Sequence, residues 1–250
     1  MTPAEFLAVV LPSPGHGKYC AVELTLKKEH FYTEEINELA IRADVWHSAL
    51  KDCFFALATF EEKRGAEQAQ FLKSFFMDLD GYATKKDAAL ALDDFLQQSG
   101  LGDCGQPWVV DSGGGLHVYW PLKEEIQANI WVPLAEDFKR LAKQFGFKID
   151  MAVTADAARI LRCPETFNHK FDPKRETFFM VDEFPVYNWD EMKDFLGEPA
   201  VNNDDILSSI SKGLDDDTRA MLKMDNFPKS FETLAEKSIN GSGCTQIAHI

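Results

Sequence analysis

The chain has 250 residues, of which 45% are hydrophobic and 27% are charged, as in an ordinary globular protein of one large or two small domains. Its 41 acidic residues outnumber the 26 basic ones and give a formal net charge of -15. This balance argues against a general nucleic-acid coat protein, although it is compatible with a local basic groove. The five cysteines are scattered and form no CxxC pair, so they indicate neither a zinc ribbon nor a disulfide framework.

The cysteine pattern and the N-terminal sequence together indicate a cytoplasmic protein. Scattered cysteines, odd in number, are expected to be free thiols, which persist in a reducing compartment. Residues 1–15 contain no basic region and only a short apolar stretch. We therefore expect neither a signal peptide nor a membrane span.

The first half of the chain predicts strands and one helix. Alternating residues predict a first strand over 19–26, and Thr33 is placed to cap a helix over 34–50. An apolar stretch over 54–60 predicts a second strand. A polar segment then leads to the apolar run 75–77, which predicts a buried strand that ends in the sequence Asp-Leu-Asp.

The second half mixes helices and strands. Thr84 is placed to start a helix over 85–98 that Gly100 stops, and residues 108–120 predict a hairpin whose strands flank a loop at 111–115. The further predicted elements are a helix over 134–145, a strand over 147–150, an apolar segment over 155–161, a strand over 176–181 and a short helix over 190–196. Because strict βαβ alternation is missing, the predicted fold class is α+β.

Asp78 and Asp80 form the first cluster with chemical meaning. Alternate residues of a strand point to the same face, so both carboxylates should project together at the end of the strand. Two like charges at this spacing repel each other and raise the pKa of one carboxyl, unless a divalent cation removes the conflict. Carboxylate oxygens suit Mg²⁺ or Mn²⁺. The competing interpretation is two solvated acids that open a turn at Gly81.

The predicted hairpin loop, Ser112-Gly113-Gly114-Gly115, is the second cluster. Its three glycines permit positive φ and allow a ligand to approach the bare backbone, and their amides are suited to cradle a phosphate. His117 follows the loop and is placed to donate a hydrogen bond to a phosphate oxygen. The competing interpretation is a flexible hairpin tip with an ordinary half-buried histidine.

The third cluster combines an acid with basic residues. Asp150 ends an apolar pair, and Arg159 and Arg162 would share one face if their segment is helical. Three residues further along alternate and share one side of an extended segment: Thr166, Asn168 and Lys170. Arginine forks and a lysine point charge suit a triphosphate or a nucleic-acid backbone. The competing interpretation is a solvated charged loop.

Taken in order, the three clusters resemble the catalytic core of the archaeo-eukaryotic primase superfamily, in particular its phage and plasmid primase-polymerases. The resemblance covers roughly residues 15–190 and is strongest over 72–170. The matching segments are MDLDG with Asp78 and Asp80, Gly115-Leu116-His117, Ile149-Asp150, and the run from Arg162 to Lys170. The chain departs from the family pattern at Glu165, where the family usually has glycine.

The resemblance implies a catalytic domain over 1–198, in which an RRM-like sheet packs with an N-terminal α/β module. Residues 199–250 would form an acidic linker and the start of a small helical C-terminal segment. The apolar end of the chain suggests a fragment of a longer protein. In phage relatives the corresponding region leads to further C-terminal domains, sometimes a helicase.

The resemblance also implies template-directed nucleotidyl transfer from NTPs or dNTPs, for primer synthesis or DNA replication. Asp78, Asp80 and Asp150 would bind two Mg²⁺ or Mn²⁺ ions, one activating the 3′-hydroxyl and the other binding the triphosphate. The residues that would hold the phosphates of the nucleotide are Ser112, Gly113, Gly114, Gly115, His117, Arg159, Arg162 and Lys170. The expected partners are a single-stranded DNA template, a primer, and a helicase domain or subunit, with no membrane involved.

A phosphatase of the haloacid-dehalogenase type is the first alternative. The sequence FFMDLDG fits its first motif, with Asp78 as nucleophile and Asp80 as general acid/base. Such an enzyme also needs a later acidic pair at a strand end, and the pairs at 204–205 and 215–216 lie in polar surroundings. This alternative leaves the glycine loop and the basic cluster unexplained.

The second alternative is a non-catalytic module that binds nucleotide or single-stranded DNA. Trp108, Tyr119 and Trp120 would then stack on bases, although such residues are more typical of a sheet core. A module of this kind would not require all three acids.

Overall fold

The structure of the protein is a computed structural model that describes residues 1–25, 28–180 and 185–197. The described helices are α1 (Pro3–Val10), α2 (Ile36–Ser48), α3 (Lys85–Ser99), α4 (Ala128–Gln144) and α5 (Trp189–Gly197). The described strands are β1 (Tyr19–Glu23), β2 (Glu29–Thr33), β3 (Cys53–Ala56), β4 (Ala58–Phe60), β5 (Ala69–Leu79), β6 (Trp108–Asp111), β7 (Leu116–Gln127), β8 (Ile160–Arg162), β9 (Phe167–Asn168), β10 (Arg175–Glu176) and β11 (Phe178–Phe179). The elements predicted for 199–250 lie outside the described residues.

Two antiparallel sheets organise the described residues. The larger sheet has five strands in the order β11-β6-β7-β5-β4, and the smaller one has four in the order β2-β1-β3-β8. Strands β9 and β10 form a separate two-stranded hairpin. Antiparallel sheets combined with helices agree with the predicted α+β class.

The centre of the larger sheet is β5, whose second half is buried without alternation. The hydroxyl of Ser74 donates to the backbone oxygen of Val10 at the end of α1, which covers one side. On the side of α4, the ring of Trp131 stacks on Phe75 at a centroid distance of 5.6 Å, and its indole N–H donates to the backbone oxygen of Ser74. Cover from both helices explains why this strand is a continuous apolar run in the sequence.

Several predicted elements are confirmed. Thr84 and Asp87 form a capping box at the start of α3, and Gly100 ends this helix with a φ of 78°. The hairpin of β6 and β7 is present, with β7 extending to Gln127. Trp108, Tyr119 and Trp120 are buried in the core and are not placed to stack on bases.

Other predictions are wrong in instructive ways. The stretch predicted as one strand over 54–60 is two strands in different sheets, β3 and β4, joined by the buried Leu57. Residues 147–150 form no strand, and Phe147 instead stacks on Phe95 of α3 with 4.5 Å between ring centroids. The segment that would place Arg159 and Arg162 on a helix face contains β8, which pairs with β3.

Three smaller differences concern element ends. The strand predicted over 176–181 is divided between β10 and β11, which belong to different sheets. Thr33 does not cap α2, because its hydroxyl accepts from the amide of Glu35, the residue at the cap position, and donates to Glu38. The helix predicted over 134–145 begins earlier, at Ala128.

The cysteines and the helix lengths can be compared with the sequence predictions of free thiols and of no membrane span. The four cysteines within the described ranges are free, namely Cys20, Cys53, Cys104 and Cys163. In the same part of the chain, every helix is too short or too polar to cross a membrane.

Candidate active site

A cleft of about 350 Å³ opens between the end of β5, the start of β7 and the strand β8. All three sequence clusters reach it. From the predicted set, its lining includes Asp78 and Asp80, Ser112, Gly114 and His117, and the basic residues Arg159, Arg162 and Lys170. Asp150, Gly113 and Gly115 were predicted with them but do not line the cleft.

Strand register explains how the first two clusters meet. Strand β5 runs antiparallel to β7, so Asp78 lies opposite His117 and Leu79 lies opposite Leu116. Strand β6 flanks β7 on its other side, with Val110 opposite His117. The loop between β6 and β7 therefore lies at the same end of the sheet as the two carboxylates.

Asp78 is a buried carboxyl in an unfavourable environment. Only 8% of the residue is exposed, and its Oδ1 atom has no hydrogen-bond partner among the described residues. Burial and the charge of Asp80 raise the pKa of Asp78 to about 7, with Asp150 adding to the rise and Arg159 opposing it. Asp80 itself is exposed just beyond the strand. The predicted conflict between the two carboxylates is present.

His117 is held in its neutral form. Burial, together with the nearby charges of Arg162 and Arg159, lowers the pKa of His117 to about 3. Its Nε2 atom lies 3.9 Å from Oδ1 of Asp78, which is too long for a hydrogen bond. The two side chains therefore form no ion pair, and a neutral imidazole with one N–H faces the cleft.

The glycine loop is closed by its own hydrogen bonds. The amide of Gly113 donates to Oδ1 of Asp111 at 2.7 Å, and the amide of Gly115 donates to the hydroxyl of Ser112 at 3.1 Å. Lys85 holds Asp111 in turn, with 2.6 Å from its Nζ to each carboxylate oxygen. Two of the three amides predicted to cradle phosphate are thus already engaged, and Gly114 is the glycine of the loop that lines the cleft.

Gly115 has no space for a side chain. A Cβ atom at this position would lie 2.5 Å from Oδ1 of Asp80 and 2.5 Å from the backbone oxygen of Leu79. Glycine is therefore required where the loop passes the end of β5. The loop and the acid pair are in direct contact.

The third acid lies beside the first. The amide of Asp150 donates to the backbone oxygen of Asp78 at 2.9 Å. Its carboxylate accepts from the amide of Ala152 through Oδ1, while Oδ2 lies 3.8 Å from Nη2 of Arg159. The segment around Asp150 thus lies next to β5, as the resemblance implied, although it is a loop and not the predicted strand.

These carboxylates fit a divalent cation in donor chemistry. The unpartnered Oδ1 of Asp78 is a hard oxygen whose burial and like-charged neighbours a cation would offset. Within the described ranges, however, no three His, Cys, Asp or Glu side chains already stand together as a ligand group. Ligation by Asp150 would compete with its contacts to Ala152 and Arg159.

Arg162 is the best-held cation of the cleft. It is buried in β8, is ion-paired with Asp52, and lies over the ring of Phe54 at 4.4 Å. Asp52 also accepts from the backbone amide of His169 at 3.1 Å. Asp52 was not predicted, because an isolated aspartate before an apolar stretch carries no local sign of a partner that is distant in sequence.

The segment after Pro164 connects the basic cluster to the glycine loop. Asn168 is buried, and its side-chain amide donates to the backbone oxygen of Ser112 at 2.8 Å. Lys170 is exposed and lines the cleft. Glu165 adopts a φ of 58°, the left-handed conformation that glycine favours. The backbone therefore keeps a turn that suits glycine although this chain has glutamate there.

Comparison with known proteins gives a result for the fold. No protein-family model and no curated protein matches the chain. The AEP domain of the cyanophage S-2L primase-polymerase is similar in structure, with a TM-score of 0.54 and 12% identity over 72% of this chain and 89% of that domain. The crystal structure of primase RepB′ gives 0.52 and 12% over 88% and 69%. At identities this low, the structural similarity shows a shared fold alone.

Proposed function

We propose that this protein is a primase-polymerase that transfers nucleotides from NTPs or dNTPs to a primer or an initiating nucleotide, directed by a single-stranded DNA template. The observation that supports the proposal is the meeting of three sequence clusters in one cleft. Acids that can hold metal ions, a histidine that can donate to a phosphate, and cations are groups that such a transfer can use. We also propose that the larger, five-stranded sheet is the RRM-like sheet that the resemblance implies.

In the proposed reaction the basic side of the cleft binds the triphosphate. Arg162 and Lys170, with Arg159 beside them, offset the negative charge that develops on the phosphates during transfer. His117, neutral at physiological pH, donates a hydrogen bond to a phosphate oxygen. Ser112 and Gly114 border the same space.

The acidic side would hold the metal ions. Asp78 and Asp80, with Asp150 after exchange of its present contacts, supply the carboxylate oxygens. Bound there, Mg²⁺ or Mn²⁺ would lower the pKa of the attacking hydroxyl and stabilise charge on the leaving pyrophosphate. These carboxylates would hold the metal ions in the same cleft as the arginine and lysine side chains that would bind the phosphates.

The alternatives explain less of the cleft. A phosphatase built on Asp78 leaves His117 and the basic cluster that line the same space unexplained, and its later acidic pairs lie outside the described residues. A binding module does not need a buried carboxyl whose pKa is raised to about 7, which costs folding free energy.

Primer extension on single-stranded DNA with labelled NTPs or dNTPs tests the proposal. The parent protein should incorporate nucleotides in the presence of Mg²⁺ or Mn²⁺, and the double variant Asp78→Ala/Asp80→Ala should not. The matched control is Asp93→Ala/Asp94→Ala, which removes two exposed acids from α3 and should retain activity. Phosphate release from a simple phosphomonoester without any incorporation would instead support the phosphatase.

A further inference from the structure

Two phenylalanine rings line the cleft in addition to its charged groups, and an arginine side chain stacks on each ring. Arg162 lies 4.4 Å from the centroid of Phe54, and Arg175 lies 3.8 Å from the centroid of Phe171. Neither phenylalanine is needed to bind phosphates or metal ions. Their presence in the lining shows that the cleft has an apolar, planar part.

The two phenylalanine–arginine stacks differ in whether the arginine also lines the cleft. On Phe54, the arginine is Arg162, which itself lines the cleft and forms the ion pair with Asp52. Phe54 therefore supports a phosphate-binding group. On Phe171, the phenylalanine lines the cleft whereas Arg175 does not.

Phe171 is fixed in position by its neighbours. Arg175 donates from Nη1 to the backbone oxygen of Gly113 at 3.1 Å while it stacks on the ring. The ring also lies over the glycine loop, since a Cβ atom on Gly114 would be in van der Waals contact with it at 3.4 Å. A half-buried ring held in this way loses little conformational freedom when a ligand stacks on it.

We propose that Phe171, backed by Arg175, binds the base of the incoming nucleotide by stacking. The inference rests on the proposed function and adds the subsite for the base. Lys170 precedes Phe171 in the chain, so neighbouring residues would bind a phosphate and the base of the same molecule. Every nucleobase has a π-face, so the subsite should accept all four bases.

Equilibrium binding by isothermal titration calorimetry, with Mg²⁺ in excess, separates the base from the phosphates. The ligands are ATP and tripolyphosphate, which lacks the base and the sugar. Phe171→Ala should weaken ATP binding about 10-fold, on the order expected for one base–aromatic stack, and leave tripolyphosphate binding unchanged. Phe171→Trp should bind ATP at least as tightly as the parent protein.

The matched control is Phe31→Ala, which removes another half-buried phenylalanine with an arginine at 4.4 Å, on β2 and outside the cleft lining. It should leave both affinities unchanged. Equal ATP affinity in Phe171→Ala and the parent would overturn this inference while the proposed function stands. Parent protein that binds neither ATP nor any other nucleotide, and that incorporates none, would overturn both.

Discussion

The two sheets bring opposite charges to one cleft and hold them in opposite ways. The larger sheet contributes Asp78, a buried carboxyl with an unpartnered oxygen and a raised pKa. The smaller sheet contributes Arg162, which is buried as deeply but is ion-paired with Asp52 and stacked on Phe54. Arg162 is therefore satisfied without a ligand, whereas Asp78 is not. This difference indicates that, of these two residues, Asp78 is the one that a bound ligand would stabilise.

Removing the arginine should produce the largest loss of stability. Arg162→Ala leaves Asp52 with its carboxylate mostly buried and without its cation, which should cost about 3 kcal/mol in the free energy of unfolding. Urea denaturation measures this cost. The control is Arg140→Ala, which breaks an exposed ion pair with Asp137 and should cost about 0.5 kcal/mol. Equal small losses would mean that Arg162 is held no better than a surface residue.

Removing the buried acid should change stability in the opposite direction. Above pH 7 the folded protein bears the cost of a buried, ionised Asp78, so Asp78→Asn should stabilise the metal-free protein by about 2 kcal/mol at pH 8. Below the pKa of the unfolded state, near 4, the carboxyl is protonated in both states. The gain should therefore shrink as the pH falls from about 7 to about 4, as thermal unfolding in EDTA can measure.

Divalent cations should stabilise the parent protein more than the Asp78→Asn variant. A cation that binds only the folded state raises Tm with its concentration, and at 100 times its Kd the gain is about 2.7 kcal/mol. Titration with Mg²⁺ or Mn²⁺ in a thermal shift assay follows this gain. Identical shifts in Tm for the parent and the variant would mean that the cation binds away from Asp78. That result would contradict the inference that a ligand stabilises this buried carboxylate.

The substitution Glu165→Gly should have the smallest effect, and it tests the backbone turn that follows Arg162. At a φ of 58°, Glu165→Gly relieves left-handed strain but adds freedom to the unfolded chain, so the net change should stay within about 1 kcal/mol. Glu165→Val, with a branched Cβ, should lose about 2 kcal/mol. Urea midpoints of the two variants decide this. A loss in the glycine variant as large as that in the valine variant would contradict the account.

The sequence predicted the features that depend on local chemistry. The β6–β7 hairpin, the cap at Thr84 and the end of β5 at the acid pair all follow from turn residues and apolar runs next to each other in the chain. The strand β8 was missed because a short apolar segment is ambiguous between helix and strand. The pair of Asp52 and Arg162 was also missed, since its members are brought together by tertiary structure alone.

The fit at Gly115 has a consequence for how evolution or an engineer can alter this cleft. A methyl group added at Gly115 would push the β6–β7 loop away from the end of β5, because its carbon would lie 2.5 Å from oxygen atoms of both Leu79 and Asp80. Every charged residue would still be in the chain, yet their spacing would be lost. Substitutions of side chains that line the cleft are therefore expected to be tolerated more easily than any side chain at Gly115, which would widen the gap between the loop and the end of β5.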